Sequence, residues 1–439
     1  MIILIALHIF LLSILQFTAW PEMFSFPYMI DKGFLIYKDF HHVYQPLLTY
    51  ILLGVYKIFG FNILSLKVFT YILIVLIDLM LFLNIKKITA NKYISIFMLG
   101  LFVILQPIFD GNMLWFDVAV ILPILLSIYF LNTNLFVTGL FIAISFLIKQ
   151  QSVLIGIPIF IYLLIKKVKF EDLKKFILGS FIPIFILGLL LLKYNLFQDY
   201  IFWTSEFPLI NLPKIEGYAI APNFRELSIL LMSGLTLLVG TITNRKKLHS
   251  EFYLLLSILF FLVLSAFPRF SLFHLQPALA VFVIIIGYLF SLNKKYFIIF
   301  LIPLLFLWKN ILINPYKEDR FYGKNELKFA EEVKKMSGSE KIYFLGPSSI
   351  YYVLTETISS KPWIENYVWH FEISSLQEKV LTGWEVDPPV YIYWSKPESG
   401  AWYDLSTYQP AKIVEYIRQN YEKTEEIDDV EVWRLNNKP

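Results

Sequence analysis

Long, nearly uninterrupted apolar runs dominate the first three quarters of this chain. A helix needs roughly 20 residues to cross the hydrocarbon core of a bilayer, although somewhat shorter and longer spans occur. Apolar residues make up 57% of the chain and charged residues 16%, a composition too apolar for soluble domains. We therefore expect a polytopic α-helical membrane protein with eleven spans, at 1–19, 62–85, 93–109, 115–131, 135–148, 152–165, 176–192, 227–243, 251–267, 275–291 and 296–313.

The orientation of these spans follows from the basic residues. Cytoplasmic loops collect Lys and Arg, so the parity of the spans must place the basic clusters together. All the basic clusters fall on the cytoplasmic side if the short apolar segment 45–60 does not cross the membrane. We therefore expect this segment to lie as an interfacial helix in the external headgroup layer. Residues 1–19 lack a basic leader and a small-residue cleavage site, which favours a retained first span. We thus expect a multi-pass protein of the cell membrane with a cytoplasmic N-terminus and an external C-terminus.

Beyond about residue 314 the hydropathy falls, and the patterns of a mixed α/β fold replace the apolar runs. The sequence predicts a transmembrane domain over 1–313, which includes an external loop at 20–61, and a small external α/β domain over 314–439. The elements predicted in this second domain are helices at 324–336 and 410–420 and strands at 341–346, 388–394 and 431–435.

The predicted external loop 20–61 is rich in acidic and histidine side chains. Such groups act as general acids and bases and also bind divalent metals. A solvated loop with its acids facing water is the alternative. The candidates in this loop are Glu22, Asp31, Asp39, His41 and His42.

A second group of candidates lies where the apolar runs meet the external side. Asp110 and Asn112 precede the fourth run, and Asp117 begins it. Placing a carboxylate at the start of a span is costly, so we expect Asp117 to be functional, although a carboxylate at a helix N-terminus also gains from the helix dipole.

Cations occupy the remaining helix junctions on that side. Lys149, followed by Gln150, stands between two short apolar runs, and Arg269 and His274 flank the junction of the ninth and tenth. A lysine that faces an external cavity suits phosphate binding. The alternative for Lys149 is snorkelling of its side chain to the surface, and the alternative for Arg269 and His274 is contact with lipid headgroups.

Two ionisable residues fall inside predicted spans. Both could be read as proton-relay residues, but we expect Asp78 to pair with Lys86, two turns away on the same helix, and His8 to be a satisfied core histidine.

The sequence lacks the residues that several classes of protein need. The chain has no cysteine, which excludes thiol chemistry and disulfides. It has no H-E-x-x-H, G-x-S-x-G or Walker A motif, and nothing indicates nucleic-acid binding.

Four stretches in order resemble the GT-C superfamily of membrane glycosyltransferases, especially the branch of the protein O-mannosyltransferases and lipid A aminoarabinose transferases. They extend over the first 290 residues, and the C-terminal domain takes the place of an external domain that many members carry. The stretches are PEMFSFPYMIDKGFLIYKDFHHVYQPLLTYILLGVYKIFG, GNMLWFD, GLFIAISFLIKQQSVL and PRFSLFHLQPAL.

This resemblance implies inverting transfer of a sugar from a polyprenyl-phosphate donor to a glycan, lipid or protein acceptor at the external face. It places the catalytic base on Glu22, where this chain has Pro-Glu and the family usually has Asp-Glu or Asp-Asp. It places a second acid on Asp117 and the donor-phosphate cations on Lys149 and Arg269. The participation of a divalent metal stays open.

A multi-span transporter or lipid flippase is the alternative from another class, and a non-catalytic glycan receptor is a second. Transporters often show internal repeats and keep acids at mid-membrane. Here no repeat is visible and the acids gather towards one predicted face, which favours the enzyme.

Overall fold

The computed structural model of the protein describes residues 1–215, 217–293, 318–365, 368–371, 373–395 and 410–436. Contacts between residues divide the chain into two compact units. The first contains Met1–Thr18, Leu66–Leu190 and the described residues of Ala219–Lys317. The second contains the described residues of Ala19–Ser65, Leu191–Tyr218 and Glu318–Pro439, so the predicted first external loop and the C-terminal region belong to one unit.

The first unit is built of apolar helices, and they coincide with ten of the predicted runs. The eleventh run, 296–313, lies outside the described residues. The helices are Ile2–Ile14, Ile63–Thr89, Lys92–Ile108, Phe116–Phe130, Leu135–Ile148, Gly156–Ile165, Phe170–Lys193, Phe224–Asn244, Ser250–Leu264 and Gln276–Leu292.

Four helical segments of the described chain are long and apolar enough to cross a membrane by length and composition. They are Ile63–Thr89, Phe170–Lys193, Phe224–Lys247 and Leu272–Leu292. The other apolar helices have 10–17 residues. The fold is therefore mainly helical with several apolar helices, and the count of eleven spans stays a prediction.

Two local features fix the packing of the helix Leu135–Ile148. It begins at Asn134, whose side chain accepts a hydrogen bond from the backbone N–H of Val137 at 3.2 Å. Its Gly139 meets the helix Phe170–Lys193 so closely that a Cβ there would lie 2.1 Å from the Phe176 carbonyl oxygen, and a Cβ at Gly179 would lie as close to the Phe136 carbonyl. Small residues thus let the two backbones touch.

A buried polar cluster corrects the predicted partner of Asp78. Asp78 Oδ2 lies 2.9 Å from His8 Nδ1, whose ring is otherwise bonded to Gln106 Oε1 at 3.2 Å. The prediction of an Asp78–Lys86 pair was wrong, because Asp78 is fully buried and finds its partner on another helix. The prediction of a satisfied core histidine at His8 is confirmed.

The second unit begins with two helices from the predicted loop. Glu22–Asp31 was not predicted, whereas Leu47–Phe59 confirms a helix within 45–60; its place in the headgroup layer stays a prediction. Gly60, with φ of +83°, ends the second of these helices in a conformation that favours glycine. The remaining α-helices described in this unit are Phe197–Ile201, Lys324–Ser337, Ile350–Thr355, Val368–Phe371, Ser374–Val386 and Ala411–Asn420. A π-helix, Phe202–Asn211, and a 3-10 helix, Leu212–Lys214, follow the first of them.

A four-stranded mixed sheet lies among these helices. Its strands are β1 (Ile342–Leu345), β2 (Tyr391–Trp394), β3 (Tyr421–Ile427) and β4 (Val430–Leu435), in the order β1-β2-β4-β3. β1 is parallel to β2, and the other pairs are antiparallel. Asp428 and Asp429 join β3 to β4 with φ of 45° and 65°, the positive values of a two-residue hairpin turn. The predicted strands β1, β2 and β4 are confirmed; β3, whose five inner residues are exposed, was not predicted.

Candidate functional site

In the first unit, three predicted site residues meet in one buried ionic cluster. The Lys149 ammonium donates a hydrogen bond to Asp117 Oδ1. The other carboxylate oxygen, Oδ2, lies 2.9 Å from His274 Nδ1. Asp117 is 1% exposed and Lys149 4%, so both charges are removed from water. Asp117 therefore uses both oxygens to hold a cation and an imidazole.

Helix ends place these charges where backbone dipoles favour them. Asp117 is in the first turn of Phe116–Phe130, and Lys149 directly follows the last turn of Leu135–Ile148. A helix dipole stabilises a carboxylate at the N-terminus and a cation at the C-terminus. The pairing explains how Lys149 is buried without reaching the surface, so the structure does not support the alternative of snorkelling.

The turn before Asp117 is anchored by amide side chains. Asn112 Nδ2 lies 2.9–3.0 Å from the carbonyl oxygens of Leu12, Leu15 and Gln16. Gln276 Nε2 donates to the carbonyl oxygens of Gln106 and Phe109 at 3.0 and 2.6 Å. Asn112 thus has a structural role, because it holds the turn that leads into the helix of Asp117.

The other candidates of the first unit lie around this cluster. Arg269 is half-buried, and its positive charge interacts electrostatically with His274. Gln150 is the first residue of the short 3-10 helix Gln150–Ile155 that follows Lys149. Asp110 is exposed at a turn, with φ of +53°. The structure thus brings Asp117, Lys149 and His274 into contact, with Arg269 near His274.

In the second unit, Glu22 and a residue not predicted, Glu365, are buried carboxyl groups that interact electrostatically. Glu22 is the first residue of Glu22–Asp31 and is 7% exposed; Glu365 is 6% exposed. Ser349 Oγ donates to Glu365 Oε1 at 2.5 Å and lies 3.1 Å from Ser25 Oγ, one turn after Glu22. Burial raises the pKa of the Glu365 carboxyl well above its usual range, and the charge of Glu22 raises it further, against the hydrogen bond from Ser349. Both burial and the charge of Glu22 thus favour the protonated form of Glu365.

Two histidines form hydrogen bonds with the backbone of Glu365. Its backbone N–H donates to His41 Nδ1 at 3.1 Å, and His370 Nδ1 donates to its carbonyl oxygen at 2.6 Å. Because His41 Nδ1 accepts, the imidazole is neutral, and its Nε2 lies 3.7 Å from Glu365 Oε2. Burial lowers the pKa of His41 well below its usual range and that of His370 to about 4.

The remaining loop candidates have separate structural partners. His42 Nε2 lies 2.8 Å from Thr49 Oγ1, and Asp31 faces Lys57 at 3.6 Å. Asp39 Oδ2 accepts hydrogen bonds from the Leu35 N–H at 2.9 Å and from Lys361 Nζ at 2.8 Å. Within the part of the chain that the structure describes, no three His, Asp or Glu residues are grouped as a metal site, so Asp31, Asp39, His41 and His42 do not form one.

Sequence reasoning missed Glu365, Ser349 and His370. All three follow the predicted transmembrane domain and were assigned to a separate domain, so nothing in the pattern joined them to the loop of Glu22. The single local signal was an acid and a histidine inside the aromatic stretch PWIENYVWHF.

Comparison with known proteins identifies the fold. No family model and no curated protein matches the chain. Among solved structures, it is similar to the crystal structure of ArnT from Cupriavidus metallidurans bound to undecaprenyl phosphate, with a TM-score of 0.57 and 9% identity. The match covers 98% of this chain and 96% of that chain. The chain therefore has an ArnT-like fold along nearly its whole length, which confirms the predicted architecture at the level of the fold.

Proposed function

We propose that this protein is a membrane glycosyltransferase that moves a sugar from a polyprenyl-phosphate donor to an acceptor at the external face, with inversion at the anomeric carbon. The observation that carries the proposal is the buried cluster of Asp117, Lys149 and His274. The similar structure of ArnT holds undecaprenyl phosphate, which supports the donor class.

Breaking the bond between a sugar and a phosphate leaves negative charge on the phosphate. A cation held ready at that position stabilises the transition state at no cost in reorganisation. Lys149 is such a cation, since Asp117 fixes its ammonium group and His274 fixes Asp117. Asp117 acts in this scheme as a positioning residue, and Arg269 supplies a second positive charge.

Inverting transfer also needs a carboxylate that takes the proton of the attacking hydroxyl group. We assign this role to Glu22. Burial and the charge of Glu22 raise the pKa of the Glu365 carboxyl, which favours the proton on Glu365 and supports Glu22 as the ionised base. The serines Ser25 and Ser349 link the helix of Glu22 to Glu365.

Replacement of the base tests the proposal. In membranes supplied with a labelled polyprenyl-phosphate hexose, Glu22→Gln should abolish the formation of a glycosidic bond, because the amide cannot accept the proton. The matched control is Glu331→Gln on the exposed face of Lys324–Ser337. Full transfer by Glu22→Gln would refute the assignment of the base. Movement of the lipid without any new glycosidic bond in the parent protein would instead favour a flippase.

A further inference from the structure

The second unit contains a cavity at the carboxyl ends of its two parallel strands. Its volume is about 440 Å³. Gly346 and Ser348, which follow β1, and Ser395, which follows β2, form one wall. In open α/β sheets, ligands bind outside the carboxyl ends of parallel strands. The position alone thus marks the cavity as a candidate binding site.

Gly346 gives this wall its shape. Its φ is +110°, and a Cβ there would lie 2.3 Å from the Ser395 carbonyl oxygen. Only glycine lets the chain after β1 pass so close to the chain after β2. The turn is therefore fixed by packing, and the wall is preformed.

Aromatic rings supply the apolar surface of the cavity. Trp20, Phe321, Phe329 and Tyr351 line it. Trp20 and Phe321 lie with ring centroids 5.3 Å apart, and Phe329 and Tyr351 with theirs 4.7 Å apart. Flat rings beside a few polar groups suit the C–H face of a sugar ring.

The charges around the cavity favour a neutral ligand. No Lys, Arg or His is among the described residues that line it, so these residues present no cation to a phosphate. Two of its three carboxylates are already engaged. Glu326 accepts a hydrogen bond from the Gly323 N–H at 2.9 Å, and Asp428 lies 3.9 Å from Lys328.

Glu365 is the third carboxyl group, and it is the buried polar group of the cavity. Its Oε1 is bonded to Ser349, whereas its Oε2 makes no hydrogen bond with any residue that the structure describes. Burial raises the pKa of this carboxyl well above its usual range, which favours the protonated form that can donate a hydrogen bond as well as accept one. A buried polar atom without a hydrogen bond costs free energy that a ligand hydroxyl would recover.

We propose that this cavity binds an uncharged saccharide ring, with its C–H face on the aromatic wall and a hydroxyl group at Glu365. The inference rests on the proposed function and deepens it, because Trp20 and Pro21, directly before Glu22, also line the cavity. The ring belongs either to the acceptor or to the donor. In both cases the site selects hydroxyl groups and rejects phosphate.

Binding to the full chain in detergent tests the inference independently of transfer. We would measure saturation-transfer NMR with methyl α-mannoside, methyl β-glucoside and methyl β-galactoside, and with inorganic phosphate for comparison. At least one glycoside should bind and phosphate should not. Ser348→Trp, and separately Asn325→Trp at the exposed rim, should weaken glycoside binding at least tenfold by filling the cavity. The matched control is Ser375→Trp, on an exposed helix face away from the cavity.

Two further arms separate the outcomes. If undecaprenyl-phosphate glucose displaces the glycoside, the cavity holds the donor sugar; if both bind together, it holds the acceptor. Unchanged glycoside binding in both tryptophan variants, or absence of binding by a preparation that still transfers sugar, would overturn the inference alone. Glycoside binding that both variants weaken, in a protein that transfers no sugar, would uphold the inference and refute the proposed function.

Discussion

Lys149 donates a hydrogen bond to Asp117, a residue 32 positions earlier, and both side chains are almost completely buried. Removing one member of such a pair leaves the other charge uncompensated, whereas removing both does not. This asymmetry separates the structural role of the pair from its proposed role in binding phosphate.

We expect Asp117→Asn to lower the free energy of unfolding by about 3–5 kcal/mol, because it leaves a buried ammonium group without its counter-ion. The double variant Asp117→Asn with Lys149→Met should recover most of that loss. Thermal unfolding in detergent measures both effects. Transfer should stay absent from the double variant; wild-type transfer by it would mean that Lys149 has only a structural role.

The neutral His370 makes the stability of the second unit depend on pH. Its pKa is about 4 in the folded protein and about 6.5 in an unfolded chain, so the unfolded state binds more protons between these values. The stabilisation is complete above about pH 6.5 and is lost as the pH falls towards 4, by roughly 3 kcal/mol.

His370→Asn should reduce this slope, since the asparagine amide can keep the hydrogen bond to the Glu365 carbonyl without titrating. The measurement is the unfolding midpoint between pH 4 and 7, with His249→Gln as the exposed control.

Glu365 changes the stability with pH in the opposite direction to His370. Its folded pKa is raised, so its stabilisation is complete below the unfolded value and is lost as the pH rises through the folded one; Glu365→Gln should remove that loss.

The absence of cysteine makes the predicted orientation directly testable. A single cysteine at Ser375, exposed in the second unit, should react with a membrane-impermeant maleimide in intact cells. One at Lys246, in a basic cluster, should react only after permeabilisation. Labelling in the reverse pattern would contradict an external C-terminus.

Asn112 provides a test of the turn that precedes Asp117. Because its amide faces three carbonyl oxygens, Asn112→Asp replaces a donor with a repelling charge and should destabilise the protein more than Asn112→Ala. Thermal unfolding midpoints of the two variants give the comparison. Equal midpoints would show that the three contacts contribute little.

The apolar helices of the first unit and three strands could be predicted because their patterns are local. Apolar runs and short strand-forming stretches each act within a few positions. The partners of buried charges could not be predicted in this way. Asp78 pairs with His8, 70 residues earlier in the chain. Ser349 is hydrogen-bonded to Ser25 and the Glu365 N–H to His41, and both of these partners lie more than 300 residues earlier. Only the fold brings these residues together, so the sequence identified Asp117 and Lys149 as separate candidates and not as a pair.

The polar strand β3 determines where the sheet stops. Among the described strands it lies at an edge of the sheet, and its exposed residues are Glu422, Lys423, Thr424, Glu425 and Glu426. A strand from a second chain that paired with this edge would have to place its own side chains beside this row of charges. The same strand that hydropathy patterns overlook therefore gives this edge of the sheet charges that disfavour pairing with a strand of another chain.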